Sequence, residues 1–433
     1  MQRWKTALIL TLLVITSTLL APADILAREV ETEAESAILV DADTGDILFQ
    51  KEAEQALPPA SMTKMMTEYL VMEAIEDGSI SWDTTTQISD YPYSISADPS
   101  FSGVGMTQNK DYTVRSLYEA MAINSDNAAS IALAELIAGS EGEFVKMMNE
   151  KAEQLGMEDY KFVNSTGLAN SDLGDHVPEG TGADDNNLMS AKATATLAYH
   201  LVNDYPQALD ISGTRTAEFD GQTIQNWNWM IPDMPGYLSN FGYEGVDGLK
   251  TGYTEKAGNT FTGTAKQGDQ RLISVVMKTD SREARFRETA KLFDYGFDQF
   301  ETKELFAAGH QKKGESSVPV SKGKEDNVSV ETGKALSAMV KQGEEDSYSL
   351  EYSLKEEELT APVESGQKVG EAKLVYEGEG KKANLVEGGA PSVPLVTTTG
   401  VEKSNWFMLT LGNVGNFFSD MFTGAVDTVK SWF

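Results

Sequence analysis

The chain has 433 residues, with 67 Asp and Glu against 35 Lys and Arg, and a formal net charge of −32 at pH 7. A negative balance of that size, spread along the whole length, argues against nucleic acid as a partner, because phosphate binding needs a basic patch; it fits solubility in a salty or alkaline exterior. There is no cysteine, so disulfides and thiolate chemistry are excluded, and a chain long enough for two domains must rest on its cores alone.

The N-terminus, Met1-Gln2-Arg3-Trp4-Lys5, is positively charged and leads into an apolar run over residues 7–20, followed by small residues at Ala21, Ala23 and Ala27. The run is short and cleavage signals follow it, so residues 1–27 are expected to be a secretory signal peptide, cut after Ala27 or after Ala23. An uncleaved anchor is the alternative. Residues 36–40 and 47–50 flank Asp41-Ala42-Asp43-Thr44-Gly45-Asp46, a hairpin pattern. Pro58-Pro59 cannot extend a helix backwards, so a helix over 61–75 begins at Ser61. A mainly helical middle follows, over 114–122, 127–137, 141–155 and 190–203, with a long Gly- and Asp-rich loop over 164–187. Strands return at 246–251, 260–266 and 271–279, the last pair joined at Gly268-Asp269, and a helix over 281–300 closes the segment. Strands at both ends around a helical block predict an α/β (α+β) domain over 28–300, an antiparallel sheet flanked by helices.

From residue 301 helical periodicity gives way to short alternating stretches, such as 348–354 and 372–375, between Gly- and Glu-rich turns. That predicts a small all-β domain over 301–395, a spacer or docking module with no reactive constellation of its own. A Val- and Thr-rich linker near 391–399 is expected to lead into the tail, the whole covering 396–433. There Trp406, Phe407, Leu411, Val414, Phe418, Met421, Phe422, Ala425, Val429 and Trp432 recur at three- and four-residue steps, an amphipathic helix with a broad aromatic face. Too many polar residues interrupt it for a span, and its few charges give no attraction to anionic lipid. Burial of large apolar side chains, up to ~1.5–3 kcal/mol each, is expected to hold it in the membrane interface. A helix packed on its own domain is the alternative.

Three short motifs carry the chemistry: Ser61-Met62-Thr63-Lys64, Ser125-Asp126-Asn127 and Lys250-Thr251-Gly252. Each is common alone; all three in this order at these separations are hard to obtain by accident. On a helix Ser61 and Lys64 share one face within hydrogen-bond reach, so a desolvated, neutral lysine can take the serine proton without a histidine. The Ser61 backbone N–H at the helix start and the Tyr253 N–H after the third motif are candidates for the oxyanion hole. Ser125 suits proton relay between Lys64 and a leaving amine, and Asn127 suits holding a substrate amide. Lys250 and Thr251 suit a terminal carboxylate, with Gly252 letting an extended substrate lie close to the strand. Of the three histidines, His200 and His310 read as structural. His176, in the long loop, reads as a solvated residue with a site contribution as the alternative. No His-Glu-x-x-His or Gly-x-Ser-x-Gly pattern appears, which argues against a zinc peptidase and against the usual Ser-His-Asp hydrolase.

The motif set is a known mark of penicillin-binding proteins and class A β-lactamases. Together with Ala60-Ser61-Met62-Thr63-Lys64-Met65-Met66-Thr67, Phe162-Val163-Asn164-Ser165-Thr166-Gly167-Leu168 and Asp247-Gly248-Leu249-Lys250-Thr251-Gly252, the signal, the β domain and the tail, the chain resembles one family over nearly its whole length. That family is the low-molecular-mass penicillin-binding proteins acting as D-alanyl-D-alanine carboxypeptidases, of the penicillin-binding protein 5 type, in the form found in Bacillus-like Gram-positive cells. The resemblance implies a serine β-lactamase/transpeptidase-like domain with Ser61 as acyl-ester nucleophile, Lys64 as general base, Ser125 and Asn127 as second element, and Lys250 with Thr251 as carboxylate clamp. It implies removal of the last D-alanine from the pentapeptide stem of peptidoglycan, acylation of Ser61 by β-lactams, no cofactor or metal, and a place on the outer face of the cytoplasmic membrane. It leaves the oligomeric state open. One departure is Ser190-Ala191-Lys192-Ala193, where relatives often end in Asp; that puts an Asp-dependent anchoring of the long loop in doubt. D,D-endopeptidase or β-lactamase activity with the same motifs, or a catalytically silent peptidoglycan-binding scaffold, are the alternatives.

Overall fold

The computed structural model describes residues 30–378, 383–386 and 389–404. The expected signal peptide and the aromatic part of the tail lie outside them. Strands β1 (Ser36–Asp41) and β2 (Ile47–Lys51) form the expected hairpin. Its turn is closed by the Asp41 carboxylate, which accepts from the Asp43 and Thr44 N–H groups at 3.0 and 2.7 Å, a side chain imitating a backbone turn. β3 (Val246–Thr254), β4 (Gly258–Gln267) and β5 (Gln270–Thr279) complete an antiparallel sheet in the order β2-β1-β5-β4-β3. β3 is therefore an edge strand.

Every residue of β1 is buried, because both faces of the sheet are covered. Ile38, Val40, Ile273, Val275 and Met277 join the core shared with the helical block. Leu39 and Leu272, one residue out of phase, instead lie against Gly296 on the other face.

The helices are α1 (Lys64–Glu76), α2 (Asp90–Ala97), α3 (Val114–Asn124), α4 (Asn127–Ala138), α5 (Glu141–Gln154), α6 (Ala191–Asp204), α7 (Ala208–Ser212) and α8 (Arg282–Gln299). Thr113, Asp126, Ser140, Ser190 and Ser281 start five of them, each side chain accepting a backbone N–H of the first turn. α2, which carries Pro92, and the five-residue α7 are too short for periodicity to reveal. α1 is preceded by a 3₁₀ turn, Ala60–Thr63, and is buried without a break from Lys64 to Leu70 and on through Met72. A helix surrounded on all sides has no wet face for Lys64, Thr67 and Glu68, so those groups must find partners inside the protein.

α8 runs directly into β6 (Phe300–Phe306), which pairs with β9 (Leu336–Lys341). Between and after them come β7 (Ser317–Ser321), β8 (Asn327–Thr332), β10 (Tyr348–Leu354), β11 (Leu359–Thr360), β12 (Lys368–Tyr376) and β13 (Ser392–Thr397). They form a six-stranded sheet ordered β10-β12-β13-β8-β7-β11 around an aliphatic core that includes Val318, Val330 and Leu395.

Two expectations change here. The stretch near 391–399 is not a linker but β13, an interior strand between β12 and β8. Prolines argue against an interior strand, yet Pro394 needs only to accept, and its carbonyl takes the Gly333 N–H at 2.7 Å. The β domain also continues past 395, since Val401 bridges to Val363 and Lys403 to Gly323. In addition, residues 383–386 leave the β domain and pair with the β1–β2 turn: Ile47 N–H donates to Ala383 O and Leu385 N–H to Gly45 O, both at 2.9 Å.

Candidate active site

The three motifs converge where the 3₁₀ turn before α1, the α3–α4 junction and the edge strand β3 meet. Asp126 makes the junction: as N-cap of α4 its carboxylate accepts from Ala129 N–H at 2.7 Å and from Val104 N–H at 2.7 Å. That sharp corner places Ser125 at φ 62° as the C-cap of α3. Register sets Lys250 on β3 opposite Thr262, and Gly252 opposite Thr260. Because strand side chains alternate faces, slipping the pairing by one residue would turn Lys250 away.

Lys64 Nζ lies 3.0 Å from Ser61 Oγ, 2.7 Å from Asn127 Oδ1 and 2.8 Å from Thr166 O. Asn127 Oδ1 and Thr166 O can only accept. A neutral amine therefore spends its two N–H groups on them and presents its lone pair to the Ser61 hydroxyl. Burial pushes the Lys64 ammonium well below its ordinary range, with repulsion from Lys250 next, against the opposing pull of Asp126, Glu68 and Glu141. The geometry and the electrostatics thus favour one protonation state, the one a general base needs.

Lys250 Nζ donates to Ser125 Oγ at 2.9 Å and to Thr251 O at 3.2 Å. Ser125 is thus paired with Lys250 in this structure. Asn127 is engaged at both ends: its Nδ2 donates to Ser102 O and Oγ, both at 3.1 Å. It thereby orients Lys64. Ser61, Ser125, Asn127, Thr251, Gly252 and Tyr253 all line one cleft of about 350 Å³, walled further by Phe101, Leu168, Trp227, Arg282 and Arg285. As an edge strand, β3 turns one row of backbone groups away from the sheet, where Tyr253 N–H can meet an oxyanion.

The segment Phe162–Leu168 has a physical task. Asn164 Oδ1 collects the N–H groups of Thr166 and Gly167 at 3.1 and 2.8 Å. Glu141, at the start of α5, accepts from Ser165 N–H and Oγ at 2.9 and 2.6 Å. The loop so pinned delivers Thr166 O to Lys64. Gly167 sits at φ +88°, and a Cβ there would lie 1.9 Å from Ala60 O. Gly252 is likewise forced, because its Cβ would meet Thr260 Oγ1 at 2.4 Å and Pro59 O at 2.6 Å. The reason is close packing beneath the strand as well as room above it.

The model of the D-alanyl-D-alanine carboxypeptidase family (peptidase family S11) matches residues 23–281. The chain belongs to this family. A second model, the C-terminal domain of penicillin-binding protein 5, matches residues 300–403. The D-alanyl-D-alanine carboxypeptidase DacF of Bacillus subtilis is 34% identical over 352 residues, 81% of this chain and 84% of that one. Among solved structures, a peptidoglycan synthesis regulatory factor (PBP3) from Streptococcus pneumoniae is 38% identical with a TM-score of 0.74, covering 86% of this chain and 100% of that chain. Penicillin-binding protein D2 from Listeria monocytogenes, in its ampicillin-bound form, is 29% identical with a TM-score of 0.52, covering 62% of this chain and 99% of that chain.

In this carboxypeptidase His176 does not line the cleft. It is exposed in a short turn and stacks on Tyr91, ring centroids 4.6 Å apart. Tyr91 in turn donates to Glu141 at 2.8 Å, so the histidine packs on the outside of the loop anchor. His200 pairs with Asp204 on α6, and His310 packs against Phe306. At Ala193 the missing carboxylate leaves an ordinary buried helix start capped by Ser190 at 3.0 Å. The loop is tied instead by Asn187 Oδ1 to Val163 N–H at 2.6 Å and by the Lys161–Asp185 pair at 2.9 Å.

Sequence reasoning passed over Arg285, which is buried and donates to Gly252 O at 3.0 Å, tying α8 to the cleft strand. It also passed over Glu141 and Glu68. The available signal was a charged residue in step with core-facing neighbours, such as Arg285 beside Phe286 and Glu68 between Thr67 and Tyr69.

Proposed function

We propose that this serine-type carboxypeptidase removes the terminal D-alanine from the pentapeptide stem of peptidoglycan by an acyl-enzyme on Ser61. The observation that carries the reading is Lys64 Nζ, 3.0 Å from Ser61 Oγ with its other contacts on groups that can only accept. Lys64 takes the hydroxyl proton as Oγ adds to the carbonyl carbon of the penultimate D-alanine. The Ser61 and Tyr253 N–H groups hold the oxyanion. Collapse breaks the C–N bond, and the departing D-alanine amine receives the proton that Lys64 took, relayed through the Ser125 hydroxyl, so that Lys64 is neutral again and Lys250 remains a cation. Water then gives a proton to Lys64 as it attacks the ester, and Lys64 passes that proton to Ser61 Oγ as the ester bond breaks and the shortened stem leaves as its carboxylate. Lys250, Thr251 and the neighbouring Arg285 supply positive charge and a hydroxyl for the substrate's terminal carboxylate.

A β-lactam presents a similar carboxylate and acyl carbonyl and acylates the same serine; ampicillin is the ligand named for the Listeria neighbour. The test is labelling with a fluorescent penicillin and D-alanine release from a synthetic pentapeptide. Wild type shows both and Ser61→Ala neither; label retained by that variant ends the reading.

The same proposal places the enzyme outside the cytoplasmic membrane, exported by residues 1–27 and held by the tail. Its support is the charged, then apolar, then small-residue N-terminus and the aromatic face recurring after Ser404. Removing residues 405–433 is expected to move activity from the membrane pellet to the soluble fraction; sedimentation unchanged refutes the anchor.

A further inference from the structure

Trp227 lines the cleft and is 36% exposed, between two buried asparagines. Asn226 Nδ2 donates to Ser212 O and Thr214 O at 2.9 and 2.8 Å, and Asn228 Nδ2 donates to Gly248 O at 3.2 Å. With its neighbours anchored inward on both sides, the indole is left facing the cleft. It is also tied down itself. Its backbone N–H donates to Ile123 O at 3.3 Å and its Nε1 to Asn124 O at 3.0 Å. The Arg282 guanidinium lies over the ring, 5.5 Å from the centroid. An aromatic fixed in place before a ligand arrives can bind or exclude it without a further ordering cost.

The same contacts set which end of the cleft Trp227 occupies. Ile123 and Asn124 end α3 directly before Ser125, whose Oγ accepts from Lys250 Nζ at 2.9 Å. Arg282 opens α8 three residues before Arg285 and so shares its helix face. Arg285 is the residue that donates to Gly252 O at 3.0 Å. The mechanism gives Ser125 to the departing amine, and Lys250 and Arg285 to the terminal carboxylate. Trp227 and Arg282 therefore meet at the leaving-group end, one reaching from the Ser125 side and the other from the β3 side.

We propose that Trp227, braced by Arg282, is a specificity-determining residue that sizes the subsite for the residue leaving from the C-terminal side of the scissile bond. A residue as small as D-alanine fits; a longer side chain, such as the one that carries the leaving amine in a cross-linked stem, meets the indole. This rests on the roles given above to Ser61, Ser125 and Lys250. The wall works by exclusion, because a side chain too long for it must displace a ring held at its backbone, its Nε1 and one face. The ring itself is half-exposed, so water can replace it at Asn124 O and the fold does not depend on it.

The experiment measures kcat/KM of the full chain for two synthetic pentapeptides that differ only in the last residue, D-alanine in one and D-leucine in the other. Wild type, Trp227→Ala and Trp227→Phe are compared. Wild type is expected to favour the D-alanine end. W227A is expected to narrow that preference by about tenfold or more, through faster release of D-leucine. W227F, which keeps part of the ring, gives a smaller change in the same direction and serves if W227A does not fold. A wild type that takes both ends equally well overturns the proposal. So does a W227A enzyme that leaves the preference unchanged, slows both peptides by one factor, or loses only D-alanine release; Trp227 is then a packing or contact residue and not a wall. Penicillin labelling of Ser61→Ala tests the underlying site reading separately.

Discussion

The two halves of the chain spend their interiors differently. Before residue 300 the protein buries Lys64, Glu68, Asp126, Glu141, Lys250, Arg285 and Glu288, with a large set of Asn, Ser and Thr side chains. Beyond it, among the described residues, the buried polar side chains are Thr332 and Thr397, around a core of Val, Leu and Ala. Removing a charge from water is costly without compensating partners, and a well-packed apolar substitute is often at least as stable. The first half accepts that cost where reactive groups must be dry; the second shows what the same chain builds when nothing but packing is asked of it.

The contrast breaks most sharply at Lys64. Lys64→Met keeps the length of the side chain but removes the base and the Nζ–H that Thr166 O accepts at 2.8 Å. D-alanine release and penicillin labelling are expected to fall by about 10³-fold. Stability is expected to fall too, by ~1–3 kcal/mol for an acceptor left unpaired, although putting an apolar group in place of a buried polar amine recovers part of it. Stopped-flow acylation and chemical denaturation measure the two effects. Undiminished labelling by this variant would remove Lys64 from the mechanism.

On the other side, Leu395→Ala cuts into the aliphatic core at an interior strand, with Leu395 fully buried. The expected cost is ~2–5 kcal/mol, from lost transfer energy plus the cavity. D-alanine release per folded molecule should be unchanged, since the core it opens contains none of the cleft residues. A fall in kcat for the folded fraction would show that the β domain shapes the site as well as carrying it.

How much of this was legible follows from the range of the forces involved. The hairpin at β1–β2, the long helices and the three-strand run β3–β5 announce themselves locally, by turn residues, caps and periodicity. The convergence of Ser61, Lys64, Ser125, Asn127 and Lys250 was also readable, because the chemistry of those side chains makes sense only together. Which partner each one takes was not. Ser125 turns to Lys250, and Asn127 to Lys64, because of a helix corner closed by Asp126 and a loop pinned by Glu141. Those are contacts between residues far apart in sequence. β13 was obscured for the opposite reason: its two flanking and internal prolines are a strong local signal, overridden by a neighbouring strand that needs only their carbonyls.

Residues 383–386 are one place where the two halves meet, and they provide the finest cut. Asn384 Nδ2 donates to Thr44 O at 2.8 Å and to Asp46 Oδ1 at 3.0 Å, while its Oδ1 accepts from Val386 N–H at 2.8 Å. Leu385 joins the core of the catalytic half. Asn384→Ala removes the side-chain bonds and leaves the backbone pairing of Ala383 and Leu385. The expected cost is about 1–2 kcal/mol, the net worth of one or two part-buried hydrogen bonds. Because the contact lies on the β1–β2 turn and none of its residues lines the cleft, kcat and KM should stay at wild-type values. Calorimetry should show the loss as a wider separation between the unfolding of the two halves, since the strand-like strap adds to the coupling given by the α8–β6 connection and by the bonds of Gln270 to Phe300 O and Met339 and of Gln342 to Asp298 O. If the melting profile of the variant overlays that of the wild type, the strap is an ornament on the turn, and the halves are coupled by the α8–β6 connection and the contacts around it.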